Sequence, residues 1–422
     1  MIIAIGNVGS TSLKTKIIDI DDHNSIVLLG EANLDRIKTE GESTFSHKHG
    51  AGPRKEEQAD VVGFKQGINL ILDWYKSNGV ISHISGIQAV GFKTVLAGKN
   101  RGACRLAEVV LDEMKRFSFV APAHNLPYVE TIEIFADILG DVPLVGVFEP
   151  SFHNGIPEHR RLTGLPLELE RKLGVEQKGF HGSTGRYGAE KIRLMHSRFC
   201  LETGNRMHVP FRLIYNHLGG SSSTHAILDG KSIATSMRFS PQSGHYQGTR
   251  VGDIDVYTVL YAMQQEGFNP EDMERILSRE SGLAGISGIK SGEMADIVDA
   301  TKKGDKRAAL AIDAYIDNIR QYIGAFSAVL NGVDAIGFAG GIGEHSADIR
   351  ARICGGFEYL GLELDSRKNE SVGKEDSRIT TESSPIQAYV VHTDEEMVVA
   401  YFTKKVIELG RDLAPEEMQF SL

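Results

Sequence analysis

RLIYNHLGGSSSTHAIL, residues 212–228, is the stretch from which the rest of the chain can be read. An apolar run, Leu213-Ile214-Tyr215, leads into His217-Leu218-Gly219-Gly220 and three serines, Ser221 to Ser223. A second strand-like run, Thr224 to Leu228, follows it. Asp229-Gly230 then predicts a tight type I′ hairpin turn, whose two central residues need positive φ. Strand, glycine-serine turn and strand offer backbone N–H groups that no large side chain covers, a concavity suited to phosphate oxygens. A single turn of this kind is also an ordinary hairpin loop, so its weight comes from recurrence. Residues 2–6 (IIAIG) form an apolar run that breaks at Asn7-Val8-Gly9-Ser10-Thr11-Ser12, and an alternating run over 13–20 follows. The same plan in both halves predicts an internal duplication.

A chain of 422 residues exceeds one ordinary core, and roughly two or three domains are expected. Hydrophobic residues at 41% and charged residues at 24% describe a globular protein, and no apolar run of about 18 residues is present. The first residues, MIIAIGNVGS, lack the basic flank of a signal peptide, so a cytoplasmic protein is expected. A net charge of −10 argues against bulk binding of nucleic acid, so an anionic ligand has to be met by a local cluster of cations. Three scattered cysteines, Cys104, Cys200 and Cys354, fit a reducing compartment and no cysteine-based zinc site.

Further along, residues 31–60 are polar, and His47-Lys48-His49 reads as part of a solvated loop rather than a metal site. Helical spacing marks 62–75, 106–114 and 129–140, and 84–90 reads as a short strand running into Gly91-Phe92-Lys93. The apolar run 142–148 reads as a buried strand that ends at Glu149-Pro150, delivering a carboxylate where open α/β sheets place their ligands. Glycines on both sides of Phe180-His181 are expected to expose the ring and bring a ligand near the backbone. Residues 281–292 read as a glycine-punctuated loop, and 306–330 as the longest helix. A β-rich run over 333–339 enters the glycine loop 340–344, and Ser346 can cap a helix from Ala347, which makes a second anion site. The last strand, 386–392, ends at Thr393-Asp394-Glu395-Glu396, whose acids suit a helix N-terminus or a hard cation such as Mg2+.

Eight motifs in order give these features a family likeness. Residues 7–14 resemble N-S-G-S-S-S-L-K, 121–125 A-P-L-H-N, 147–153 V-F-D-T-A-F-H and 179–184 G-F-H-G-T-S. Residues 217–221 resemble H-L-G-N-G, 248–255 G-T-R-S-G-D-I-D, 341–346 G-I-G-E-N-S and 393–396 T-N-E-E. From end to end the chain resembles the acetate kinase (acetokinase) family of the acetate and sugar kinase/Hsp70/actin superfamily. The resemblance implies two duplicated ribonuclease H-like (actin-like ATPase) α/β domains with a cleft between them. They would be 1–150 plus 393–422, with the C-terminal helix returning, and 151–392, which would bind nucleotide and dimerise. It implies reversible in-line transfer of the ATP γ-phosphoryl group to acetate or propionate, giving an acyl phosphate and ADP.

Position by position, the resemblance assigns Arg250, His181, His124 and Glu149 to catalysis. Lys93, Val95, Ala123, Phe180 and Pro241 would hold the acid. Lys14, His217, Gly219, Gly220, Ser221, Glu293, Gly341, Ile342, Gly343 and Glu344 would hold the nucleotide. Asn7 and Glu395 would order Mg2+, with Mn2+ as an alternative. Partners would be the carboxylate, the nucleotide and a second copy in a homodimer, with neither nucleic acid nor membrane. Departures from the family pattern carry their own consequences. Lys93 stands for an arginine and lacks its bidentate fork. Glu149 replaces aspartate, Gly220 replaces asparagine and Gly185 a histidine, and Ala295 replaces an arginine lying against adenine. Ala123 for leucine enlarges the acid pocket, a change worth ~1–3 kcal/mol in choosing between acids. Two further readings stay open on the sequence. One is a kinase of the same fold using pyrophosphate or a larger acid, and the other a non-catalytic nucleotide-dependent binding protein.

Overall fold

In the computed structural model, residues 1–9, 11–37, 43–98, 101–120 and 122–422 are described, and of 122–124 only the backbone. Strand β1 (Ile2–Val8) pairs antiparallel with β2 (Ser12–Ile20), and β2 with β3 (Ile26–Asp35). β4 (Ser43–His49) and β5 (Lys55–Ala59) extend this meander. On the other side of β1 lie β6 (Ala89–Thr94), parallel to it, and then β8 (Leu144–Phe148), parallel to β6, with β7 (Ala103–Arg105) at the edge.

A second sheet repeats the plan. The antiparallel meander β9 (Arg212–Leu218), β10 (Ser222–Leu228) and β11 (Lys231–Thr235) is joined beside β9 by parallel β12 (Ala335–Ala339). β14 (Gln387–Val390) lies parallel to β12, and β13 (Ser377–Arg378) closes the edge. The order β3-β2-β1-β6-β8 in one sheet matches β11-β10-β9-β12-β14 in the other, so the duplicated α/β architecture read from the two strand–turn–strand stretches is present. Asp229 and Gly230 have φ of 46° and 77°, as the hairpin turn requires.

The chain divides into two compact units, Met1–Asn154 with Asp394–Phe420, and Gly155–Thr393 with Ser421–Leu422. In the first, the helix Glu395–Leu409 lies on β6 at Gly91, where a Cβ would stand 2.4 Å from Thr403 Oγ1 and 2.9 Å from Val399. In the second, alternation along β9 serves two layers. Ile214 joins the core under the helix Lys306–Leu330, with Ile312, Tyr315, Ile319 and Ile323. Tyr215 meets the helix Gly182–Thr203 on the opposite face. Among the described residues no helix is long and apolar enough to cross a membrane, and the three cysteines are buried and unbridged.

Several local expectations are corrected. His47-Lys48-His49 lies in strand β4, not a loop, and the His47 ring stands 4.6 Å from Trp74 and 5.1 Å from Phe45. β4 lies between β3 and β5, and Phe45 is its one large apolar residue, so no apolar–polar alternation betrayed the strand. Residues 84–86 form a 3-10 turn, and the strand starts at Ala89. The helix expected from 129 begins at Pro122, an N-terminal position that proline tolerates. Within 281–292 a helix, Gly282–Ser287, replaces the loop. Gly282 is needed for close approach, since a Cβ there would lie 2.2 Å from Gln247 O.

The helix Gly182–Thr203 rests on β9 through Gly188, whose added Cβ would fall 2.1 Å from the buried Tyr215 ring. Gly188→Ala is expected to lower stability by about 1–3 kcal/mol through overpacking, read as a lower urea midpoint at unchanged slope. An unchanged midpoint would show that the ring can move aside.

Candidate active site

In the first unit three parallel strands end side by side, and each delivers a polar group. β1 carries Asn7, β6 carries Lys93, and β8 runs directly into Glu149. Lys93 Nζ lies 2.5 Å from Glu395 Oε2. Burial works against the Lys93 charge, but Glu395 and then Glu149 outweigh it, and the ammonium is held above its usual pKa. Tyr128 OH accepts from the Val8 N–H at 3.1 Å and donates to Asn7 Oδ1 at 3.2 Å. Burial, against the opposing Lys93 charge, pushes its phenol up to about 12, so it stays a donor.

The acids after β14 divide their work. Asp394 caps the helix, accepting from Met397 N–H at 3.1 Å. Glu395 takes Lys93, and Glu396 lies 3.5 Å from Lys16 Nζ. Lys14, opposite Asn7 in the β1–β2 ladder, is exposed, and Val95 is buried. The side chains of Ala123 and His124, on the first turn of the helix Pro122–Leu139, lie outside the described residues, as do Ser10 and Ala121.

In the second unit the 219–221 turn closes with Gly219 N–H donating to Ser221 O at 3.2 Å. Arg250 Nη1 donates to Ser221 Oγ at 3.0 Å, Gln247 Oε1 at 3.2 Å and Pro241 O at 3.4 Å. Burial pushes this guanidinium down to about 10, which marks a cation that a nearby anion would stabilise. Gln247 fixes the arrangement, accepting from Ser221 Oγ at 2.9 Å and donating to Pro241 O at 2.9 Å.

His181 stands at φ 57°, capping the helix Gly182–Thr203 from the left-handed region. Its Nδ1 lies 2.8 Å from Ser223 Oγ, and its ring 4.5 Å from that of His217. His217 Nδ1 is 3.1 Å from Thr184 Oγ1. The flanking glycines do not expose the Phe180 ring, which is 2% accessible; the tight backbone turns it inward and leaves His181 half-buried.

The 340–344 stretch is a helical turn, Gly340–His345, and not a loop. At Gly340 φ is +74°, and a Cβ would lie 2.7 Å from Leu218 O, so the turn abuts the end of β9. Arg350, almost wholly buried, donates to Gly343 O at 2.9 Å and Glu344 O at 2.8 Å and clamps the turn from behind. Gly220 O accepts from the Gly248 N–H at 2.9 Å, and a Cβ on Gly292 would stand 2.2 Å from Gly248 O. Exposed Glu293 follows and begins the helix Met294–Lys302.

Thus the first unit brings together Asn7, Lys93, Glu149 and Glu395, and the second gathers His181, His217, the 219–221 turn, Pro241 and Arg250. Four participants escaped the sequence reading: Tyr128, Gln247, Ser223 and Arg350. Gln247 directly precedes the GTR motif and Ser223 ends the serine run, which are usable signals. Nothing in the sequence marks Arg350. No group of three or more His, Cys, Asp or Glu able to hold a metal occurs among the described residues. Asn7, Glu395 and Glu149 still offer hard oxygens, and Mg2+ characteristically takes one or two carboxylates, completing its shell with phosphate and water. The donor set fits Mg2+ bound together with a phosphate ligand.

Comparison with known proteins bears on this chemistry. The profile of the Acetokinase family matches residues 1–401. Acetate kinase of Clostridium botulinum (strain Okra / Type B1) is 36% identical over 409 residues, 96% of this chain and 99% of that protein. The crystal structure of Porphyromonas gingivalis acetate kinase aligns with TM-score 0.82 at 29% identity, over 96% of this chain and 99% of that one. A propionate kinase from Francisella tularensis subsp. tularensis SCHU S4 gives 0.82 at 27%, with the same coverage. The fold and these matches define a phosphotransferase whose acceptor is a carboxyl group. The chain belongs to the acetokinase family.

Because folding raises the Lys93 pKa, its contribution is complete below the unfolded value of about 10.4 and is lost only as pH rises through the higher folded one. Lys93→Met takes this cation from beside Glu395 and Glu149. Stability at pH 8 is expected to fall by about 3 kcal/mol. The loss should be smaller at pH 5.5, where carboxylates deprived of this cation take up protons. Urea unfolding at the two pH values reads this, and an equal loss at both would contradict it.

Proposed function

We propose that this chain reversibly transfers the γ-phosphoryl group of ATP to acetate or propionate, giving an acyl phosphate and ADP. The observation that carries the reading is Arg250, a half-buried guanidinium fastened to the 219–221 turn through Ser221. A carboxylate acceptor is already anionic, so the chemistry needs no strong base. It needs cations and donors fixed around the oxygens of the phosphoryl group in flight.

Arg250 and His181 supply them, and His124 is a further candidate donor. Residues 219–221 and 341–344, with Lys14, His217 and Glu293, hold the nucleotide. Lys93 attracts the acid and Glu149 stands near its attacking oxygen, while Val95, Ala123, Phe180 and Pro241 meet its alkyl group. Because Glu395 already shares the Lys93 charge, the acid is held less firmly than by an arginine fork. Asn7 and Glu395 would hold Mg2+, or Mn2+ in its place, and the bound ion would spread the charge of the phosphates.

The assay is acyl phosphate formation from Mg-ATP, trapped with hydroxylamine, using acetate, propionate and butyrate. Product with acetate or propionate is expected, and the order of rates sizes the space at Ala123. No product from ATP but product from pyrophosphate would overturn the donor, and none from either would overturn the activity. Arg250→Ala is expected to lower kcat by about 10²–10³ while nucleotide binding weakens modestly. Unchanged turnover would remove Arg250 from the mechanism.

The reading extends to a cytoplasmic homodimer joined through the unit Gly155–Thr393. Its helix Val256–Glu266 buries none of its residues and exposes Val256, Tyr257, Leu260 and Tyr261, an apolar face that suits a second copy. Leu260→Asp with Tyr261→Asp should turn a dimer into a monomer in light scattering. A wild-type monomer would end this part of the proposal.

A further inference from the structure

One face of the second sheet carries a chain of hydrogen bonds that the transfer chemistry does not itself use. His181 Nδ1 lies 2.8 Å from Ser223 Oγ, and the same oxygen lies 3.0 Å from His225 Nε2. His225 Nδ1 is in turn 2.9 Å from Thr235 Oγ1. Ser223 and His225 stand two residues apart on β10 and so share a face, and Thr235 is the register partner of His225 on β11. His225 is fully buried, with its ring stacked 6.2 Å from that of Tyr215 at an interplanar angle of 14°. A buried imidazole between two hydroxyls, with both nitrogens committed, is a rigid element linked through Ser223 to His181.

The Ser223 hydroxyl has a single proton. Between two ring nitrogens it donates to one and accepts from the other, so the tautomers of the two histidines are coupled. We propose that His225 is a positioning residue for the transfer step. Through Ser223 it orients His181 and keeps the neutral imidazole proton on Nε2, the edge turned away from Ser223. The polarity runs in one direction: Thr235 O–H to His225 Nδ1, His225 Nε2–H to Ser223 Oγ, and Ser223 O–H to His181 Nδ1. His181 then presents an N–H donor to a phosphoryl oxygen without having to acquire a positive charge. The left-handed backbone at His181 complements this, because it fixes where the ring begins while Ser223 fixes how it is turned. The inference rests on the role proposed above for His181.

The test compares His225→Ala, His225→Gln, His225→Asn and Ser223→Ala in the full-length protein. The glutamine amide nitrogen reaches the place of Nε2 and can donate to Ser223, whereas that of asparagine corresponds to Nδ1. His225→Ala and Ser223→Ala are expected to lower kcat about ten- to a hundredfold with both KM values nearly unchanged. His225→Gln should recover most of the loss and His225→Asn should not. Nitrogen-15 NMR of the imidazoles should give His181 as the Nε2–H tautomer in the wild type and a mixture in His225→Ala and Ser223→Ala. The double variant His181→Ala/His225→Ala should be no slower than His181→Ala alone. Equal losses for the alanine and glutamine variants, an unchanged His181 tautomer, or additive losses in the double variant would each overturn the positioning role. Full activity of His181→Ala would instead overturn the role given to His181 itself, and the NMR result would still decide whether the coupling exists.

Discussion

An ammonium held against two carboxylates governs the first unit. Lys93 and Glu395 are 302 residues apart in sequence and 2.5 Å apart in space, with Glu149 adding to the same field. Burial alone would lower the Lys93 pKa, and the two carboxylates reverse that direction. The pair also fixes the register of the helix Glu395–Leu409 on β6, because Gly91 lies under the same helix and leaves room for Thr403 and Val399. Charge and packing specify one arrangement, and Asn7 and Tyr128 complete it with neutral hydrogen bonds.

The second unit solves a different problem with different groups. Arg250 and His181 meet hydroxyls, amides and carbonyls, while ion pairs such as Arg212–Asp334 lie elsewhere in the unit. Arg250 is held by a serine, a glutamine and a backbone carbonyl, and His181 by a serine. The three neutral acceptors fix where the guanidinium sits. Arg350 plays the opposite part, spending its donors on Gly343, Glu344 and Asn369 to make a stiff turn.

Much of this was legible from the residues. The paired strand–turn–strand stretches revealed the duplication because a β-meander keeps its turn chemistry local. The periodic apolar face of Ile312, Tyr315, Ile319 and Ile323 marked the helix Lys306–Leu330. What stayed hidden is non-local. The 43–59 strands looked like a loop because Phe45 is their one large apolar residue, and Gly282 looked like a loop residue because its requirement comes from Gln247 and Arg250. At the site the anion-binding turns were readable, since glycine and serine advertise them. Gln247 and Arg350 were not, because their importance lies in which carbonyls and hydroxyls they reach after folding.

The return of the helix Glu395–Leu409 to the first sheet also has a consequence for synthesis on the ribosome. Strands β1 to β8 emerge early, yet the groove over Gly91 and the Lys93 charge wait for a helix made only after the whole second unit has left the exit tunnel. Residues 155–393 can fold around their own sheet while the first unit is still one layer short. The unit begun first in translation is therefore the one whose last layer is made last.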